Sequence, residues 1–207
     1  MKIRFLSAAA VVTAGALVLT GCDSKVGTAA VVNGHKISES TVSGYLTPTA
    51  QPLQGQNGSS TAPRTFVLQY LIRTQIFERV LTTKLKTKNQ TLTDALLDGA
   101  KTAALSGASE DALTKQITSV GLSSSFEPQV LRYQELYTLI GTEFDVTTTA
   151  GQNAANAALA GSNDKVVVNP RYGAWDAKTI TLADLSQAQL PSFLKFDTAL
   201  PGDAPAA

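Results

Sequence analysis

The pattern of apolar residues predicts a long central helix over about Pro63 to Lys86. At 100° per residue, Phe66, Tyr70 and Phe77 fall on one stripe, while other large apolar side chains occupy the remaining faces. A helix that is apolar nearly all round must be surrounded by other elements, so we expect this one to lie in the core.

A second amphipathic helix is predicted towards the C-terminal side. Between Phe126 and Phe144, large apolar residues step by four, three, four, three and four positions, which is the spacing of one helix face. We expect this helix to lie along the central one. Ser124 and Glu127 have the spacing of a capping box at its start.

Four shorter helices are marked by polar residues that can cap a first turn or by an alanine-rich composition. A serine or threonine hydroxyl at the cap accepts a hydrogen bond from a free amide of the first turn, and a glycine often follows the last turn. The predicted helices run from Ser38 to about Tyr45, from Thr91 or Thr93 to about Leu105, from Ser109 to Gly121, and from Thr147 to Gly161.

A small sheet is predicted to join the two ends of the domain. Val31-Val32, Asn33-Gly34 and Lys36-Ile37 form a strand, a two-residue turn and a second strand, because Asn-Gly accepts the positive φ angles of a tight hairpin. A lone hairpin is marginally stable, so a third strand is needed. Val166 to Val168 is the candidate, with Pro170 just beyond the point where pairing stops. The sequence therefore predicts a mainly α fold with a small antiparallel sheet that joins the N-terminal hairpin to a C-terminal strand.

The N-terminus has the features of an export signal. Lys2 and Arg4 precede an apolar stretch over 5–19, which is followed by the residues LTGC. LTGC resembles the lipobox of bacterial lipoproteins, and this resemblance implies cleavage after Gly21 and a diacylglyceryl group on the Cys22 sulfur. The alternative is a surface cysteine that follows a signal peptide. We expect a lipid-anchored protein at the extracytoplasmic face of the cell membrane.

The chain divides into four predicted segments. Residues 1–21 are the signal peptide, 22–28 a short tether, 29–182 one folded domain, and 183–207 a C-terminal extension that we expect to be largely disordered. Within the domain, 47–63 is rich in Pro, Gly, Ser, Thr and Gln, and we predict a flexible loop there.

Composition argues against several classes of function. Lys+Arg 17 and Asp+Glu 16 give a net charge of +1, and basic residues cluster only over 82–88. Nucleic acid is therefore not an expected partner, because phosphate binding needs a basic stripe. One cysteine and one histidine, His35, cannot supply a His/Cys metal cluster or a Cys-His nucleophile pair. We interpret His35 as an exposed turn residue and Ser123 to Ser125 as a helix cap, and we expect no catalytic residue, cofactor or metal.

Three stretches resemble one family of exported proteins. AAVVNGHKISESTV resembles the opening of the N-terminal chaperone domain of the SurA/PrsA group of foldases, and FVLQYLIRTQIFERV resembles the long helix of that family. VNPRYGAWD is similar to the closing strand segment of actinobacterial lipoproteins of this kind, so the resemblance covers most of Ala29 to Asp176. It implies a helical domain that cradles unfolded segments of exported proteins.

The chain departs from the family in one respect. A parvulin prolyl-isomerase module often precedes the closing strand in that family, yet 87–144 is predicted to be helical and His35 is the single histidine. We therefore expect no parvulin module. The resemblance implies a membrane-anchored, non-enzymatic chaperone that binds unfolded or partly folded exported proteins. The alternative is a cell-envelope scaffold that binds one folded partner.

Aromatic residues of the two long helices are the candidate client-binding residues. They could line a groove for extended apolar peptides, or they could form the core. We expect Trp175 to pack the closing segment onto the helices. The candidate client-binding residues are Phe66, Tyr70, Phe77, Phe126, Tyr133 and Tyr137.

Overall fold

The computed structural model describes residues 27–54, 60–162 and 165–182. This part of the chain is mainly helical with small antiparallel sheets, which confirms the predicted fold class. The predicted signal peptide, the predicted lipidation site Cys22 and the C-terminal extension over 183–207 lie outside the described residues.

The elements follow the predicted order, from hairpin through helices to a closing strand. The helices are α1 (Glu39–Gly44), α2 (Pro63–Lys86), α3 (Asp94–Leu105), α4 (Glu110–Ser119), α5 (Glu127–Phe144) and α6 (Thr149–Ser162). The strands are β1 (Thr28–Val32), β2 (His35–Ser38), β3 (Leu53–Gln54), β4 (Ser60–Thr61), β5 (Val166–Val168), β6 (Trp175–Asp176) and β7 (Thr181–Leu182).

A three-stranded antiparallel sheet brings the two ends of the domain together, as predicted. Its strand order is β2-β1-β5, and Val31 lies opposite Lys36 on one side and Val167 on the other. Asn33 and Gly34 form the turn between β1 and β2 with φ angles of 50° and 90°, which is the conformation that Asn-Gly favours. The closing strand therefore pairs with the strand that opens the domain.

Helix α2 forms the centre of the core. More than half of its 24 residues are buried, which confirms that an all-round apolar helix is enclosed by other elements. Helix α5 packs along α2, helices α3 and α6 pack against α5 or α2, and strand β1 covers α2 from the sheet side. The sheet and the helices thus share one hydrophobic core.

Most of the predicted caps are present. The hydroxyls of Ser38, Thr93 and Ser109 each accept a hydrogen bond from the backbone amide three residues later. The predicted capping box at Ser124 and Glu127 is wrong. Ser123 instead caps a short 3-10 helix, and α5 begins only at Glu127. The extra turn moves the glutamate from the third helical position to the first, from which it cannot reach back to a cap.

Part of the predicted flexible loop over 47–63 contacts the domain. The Thr47 hydroxyl donates to the Gly121 carbonyl at 2.7 Å. Leu53 in β3 lies opposite Thr61 in β4, and both side chains are buried. Residues 55–59 lie outside the described part, and the flexibility of this segment stays a prediction.

The segment after β5 is fixed to the core by apolar and polar contacts. Ile180 and Leu182 are buried, and Trp175 packs against the core from a half-buried position, as predicted. The backbone amide of Leu182 donates to the Gln69 side-chain oxygen at 2.8 Å. Trp175 belongs to β6 and Leu182 to β7. The sequence does not predict this strand pair, because strands of two residues each show no recognisable pattern.

A polar cluster connects this segment to the start of α1. The Tyr172 hydroxyl donates to the Glu39 carboxylate, and the Arg171 guanidinium lies 3.5 Å from the same carboxylate. Burial raises the pKa of the Tyr172 phenol to about 12, and the hydrogen bond to Glu39 and the negative charge of Glu39 act in the same direction. Tyr172 therefore stays neutral at physiological pH and donates a hydrogen bond to the Glu39 carboxylate.

The first prediction concerns this hydrogen bond. At pH 8 we expect Tyr172→Phe to lower the free energy of unfolding by about 1–2 kcal/mol, because a hydrogen bond to a carboxylate is lost. An unfolded tyrosine ionises near pH 10, so the wild-type contribution is complete below that pH and is lost as the pH rises towards about 12. Urea unfolding of both proteins at several pH values should show the difference shrinking above pH 10. A difference that stays constant to pH 12 would contradict this assignment.

The second prediction concerns Gly151 in the first turn of α6. A Cβ atom at this position would lie 2.1 Å from the carbonyl oxygens of Phe144 and Asp145, so Gly151→Ala forces α6 away from the end of α5. We expect a loss of about 3 kcal/mol in the free energy of unfolding. Gly161→Ala in the same helix is the control, because nothing lies within 4 Å of its Cβ position, and we expect it to be neutral or to stabilise by up to about 1 kcal/mol. Urea unfolding followed by circular dichroism measures both variants. Equal changes in the free energy of unfolding would show that Gly151 does not lie in close contact with the end of α5.

Candidate functional site

A cleft of about 630 Å³ lies between the β1–β2 turn, one face of α2 and α5. Its walls combine an apolar part, formed by Val32 and Leu92, with polar and charged side chains from three elements. A concave surface of this volume is typical of sites that bind small molecules or short polypeptide segments.

Helix α2 supplies one wall of the cleft from a polar stripe. The five residues that line it are separated by three, one, three and one positions, which places them on one face of the helix. A polar stripe on an otherwise apolar helix indicates that other elements do not cover this face. Reasoning from the apolar residues of the sequence therefore missed this signal. The residues of the stripe are Gln75, Glu78, Arg79, Thr82 and Thr83.

An ion pair spans the cleft from α2 to α5. The Nη2 and Nε atoms of Arg132 lie 2.5 and 3.2 Å from one carboxylate oxygen of Glu78. Both side chains are partly exposed, at 28% and 40%, so we expect the pair to contribute no more than about 1 kcal/mol to stability. Its contribution to the site is positional, because it fixes the two side chains in the wall. The exposed Arg79 beside it has no ion-pair partner among the described residues.

Two amide side chains in the wall have an oxygen that accepts no hydrogen bond from the described residues. The side-chain oxygens of Asn33 and Gln75 are buried and accept no hydrogen bond from any residue in the described ranges. The Asn33 Nδ2 atom donates to the Ser162 carbonyl at 3.0 Å, which fixes the orientation of this amide. Buried acceptors normally have a donor, so both oxygens are unsatisfied acceptors in the wall of the cleft.

The residues considered as candidates for catalysis or metal binding are found as follows. His35 lies exposed at the start of β2, as predicted, and no described hydroxyl or carboxylate is hydrogen-bonded to it. Within the described ranges, no group of three or more His, Cys, Asp or Glu residues could hold a metal ion. The Ser123 hydroxyl caps a 3-10 helix, as a structural role predicts.

The aromatic residues predicted to bind clients lie in the interface between α2 and α5. Tyr70 contacts Phe66, Phe126 and Tyr133 with ring centroids 5.1, 5.6 and 4.9 Å apart. Phe77 stacks on Tyr133 at 5.2 Å, and Tyr133 stacks on Tyr137 at 6.4 Å.

Burial assigns these aromatic residues to the core. Phe66, Tyr70, Phe77, Phe126 and Tyr133 are at most 4% exposed, Tyr137 is half-buried, and none of the six lines the cleft. Burial also raises the pKa of the Tyr70 phenol well above its usual value. In this conformation the five buried residues belong to the core and not to a client-binding groove, while a binding role of the half-buried Tyr137 stays a prediction.

The predicted membrane anchor falls outside the described part of the chain. Cys22, the predicted lipid attachment site, falls among the residues outside it. Among the described helices, none combines the length and the apolar character that a membrane-spanning helix needs.

Comparison of the chain with protein-family models, with curated proteins and with solved structures gave no match. The resemblance to the SurA/PrsA group therefore depends on the three sequence stretches alone.

Proposed function

We propose that the protein is a membrane-anchored, non-enzymatic binding protein of the chaperone type. It holds unfolded or partly folded segments of exported proteins at the extracytoplasmic face of the membrane, where the lipid on Cys22 retains it. The observation that carries this proposal is the cleft beside α2, whose two buried amide oxygens have no donor among the described residues.

The composition of the cleft suits a polypeptide ligand. Main-chain N–H groups are the donors that the oxygens of Asn33 and Gln75 need. Val32 and Leu92 offer apolar contact, and Arg79 offers a cation to acidic or carbonyl groups. Such a mixture contacts the main chain of a peptide and places few demands on its side chains, as a binder of many different segments requires.

A second candidate function is a cell-envelope scaffold that binds one folded partner. One observation favours it: in the described part of the chain, Leu96 and Val167 are the large hydrophobic residues with exposed side chains. A chaperone with many clients usually presents a broader apolar surface. A scaffold would instead use the charged rim of the cleft to recognise a particular surface.

The third prediction tests the proposed function with an aggregation assay. A form that begins at Asp23 keeps every described residue, and at a stoichiometric ratio we expect it to slow the aggregation of an unfolded client. Thr83 is an exposed residue of the cleft wall, and Thr83→Trp fills the cleft without disturbing the core. We expect this variant to lose most of the suppression.

The matched control is Thr102→Trp, because Thr102 is also exposed but lies on α3, outside the cleft. Equal suppression by the two variants would show that the cleft does not hold the client. Absence of suppression by the unaltered protein would remove the chaperone function itself. Capture from detergent extracts then separates the candidates, since many weakly bound proteins favour a chaperone and one stoichiometric partner favours a scaffold.

A further inference from the structure

Strand β5 has an outer edge whose backbone groups can be assigned from the pairing with β1. The Asn33 amide donates to the Lys165 carbonyl at 3.0 Å, and the Asn169 amide donates to the Ala29 carbonyl at 2.9 Å. Hydrogen-bonded pairs alternate along an antiparallel ladder, so Val167 also bonds to β1. The amide and carbonyl groups of Val166 and Val168 therefore point away from the sheet.

No described strand pairs with this outer edge. The side chain of Val167 is 58% exposed, while Val166 and Val168 pack partly against the core. Exposed apolar edge strands readily accept another strand, and many proteins place charged residues there to prevent it. Strand β5 has only valines at this edge.

A small apolar hollow adjoins the edge. Its volume is about 60 Å³, and it is bounded by residues of β1 and β5 that include Ala29, Val31 and Val167. Val31 and Val167 lie directly opposite each other in the sheet. The hollow can accept a small aliphatic side chain of a strand bound alongside β5.

We infer that the edge of β5 binds an extended, apolar segment of a client polypeptide as a fourth strand of the sheet. Two amides and two carbonyls at strand spacing match the main chain of an extended polypeptide. This inference rests on the proposed function, and it names the kind of segment that is bound: β-branched, extended and uncharged over at least three residues. Val32 both lines the cleft and pairs with Val166, so the two binding surfaces meet at the same sheet.

A second copy of the chain is a less suitable occupant. Symmetric pairing of two β5 strands joins only three residues from each copy, far less contact than the roughly 1,200 Å² that stable protein interfaces bury. A client bound weakly and reversibly needs no such area.

The test uses the full chain in lipid nanodiscs and a seven-residue peptide of alternating Thr and Val. Two further peptides carry N-methyl groups, one on its Val residues and the other on its Thr residues. Only one set of alternate amides faces β5 in a bound strand. We expect one methylated peptide to bind at least about tenfold more weakly than the parent, and the other to bind within about twofold of it.

A variant of the protein gives independent evidence. Val168→Pro removes an outward amide without removing a hydrogen bond to β1, and we expect at least about a fivefold loss of peptide affinity. Thr102→Val on α3 is the control, because Thr102 is exposed and lies outside both the edge and the cleft, and we expect affinity unchanged within about twofold. Since the methylated peptides leave the protein unaltered, they decide the question even where Val168→Pro does not fold.

Four outcomes overturn the inference. They are no binding of the parent peptide, equal binding of both methylated peptides, a dimer that Val168→Pro disperses, and peptide binding that appears only after removal of residues 183–207. If the protein suppresses aggregation but binds both methylated peptides equally, the proposed function is retained and binding at the edge of β5 is rejected. If the protein binds one methylated peptide selectively but does not suppress aggregation, binding at the edge of β5 is retained and the proposed function is rejected.

Discussion

The antiparallel pairing of β1 with β5 is the constraint on which the rest of the domain depends. Val31 lies between Lys36 and Val167 in the sheet, so the opening strand is stable as a central strand only when the end of the domain has returned to it. All six described helices lie between these strands in sequence. The entropy of closing so long a loop grows slowly with its length, and burial of β1 against α2 offsets it. Both candidate binding surfaces follow from this closure.

The same packing separates the core from the surface that can bind. Five of the six aromatic residues first considered as client contacts are enclosed in the core, where ring contacts near 5 Å between α2 and α5 hold the helices together. The polar stripe of α2 then remains as the wall of a cleft, and the outward edge of β5 remains unpaired among the described strands. The proposed function therefore uses the cleft wall and the outward backbone groups of β5, and it leaves the aromatic core closed.

Local patterns in the sequence predict local structure well, and contacts between distant residues much less well. Ser38, Thr93 and Ser109 cap the predicted helices because their signals lie within one turn. The long-range β5 pairing was predictable only because a hairpin needs a third strand and one candidate existed. The bond between Glu78 and Arg132, which are 54 positions apart, has no local signal. Aromatic periodicity also cannot distinguish a core face from a groove, since both require apolar residues at helical spacing.

Amide hydrogen exchange with and without an unfolded client tests the central claim, that the folded domain binds at its surface while its core stays closed. We expect a bound client to slow exchange at Val166 and Val168, whose amides point outward, and at residues of the cleft wall. Amides within α2 and α5 should exchange at unchanged rates, because the aromatic contacts between these helices persist. Faster exchange in α2 and α5 on client binding, without protection at β5, would show that the helices separate to expose the aromatic residues and would contradict the account.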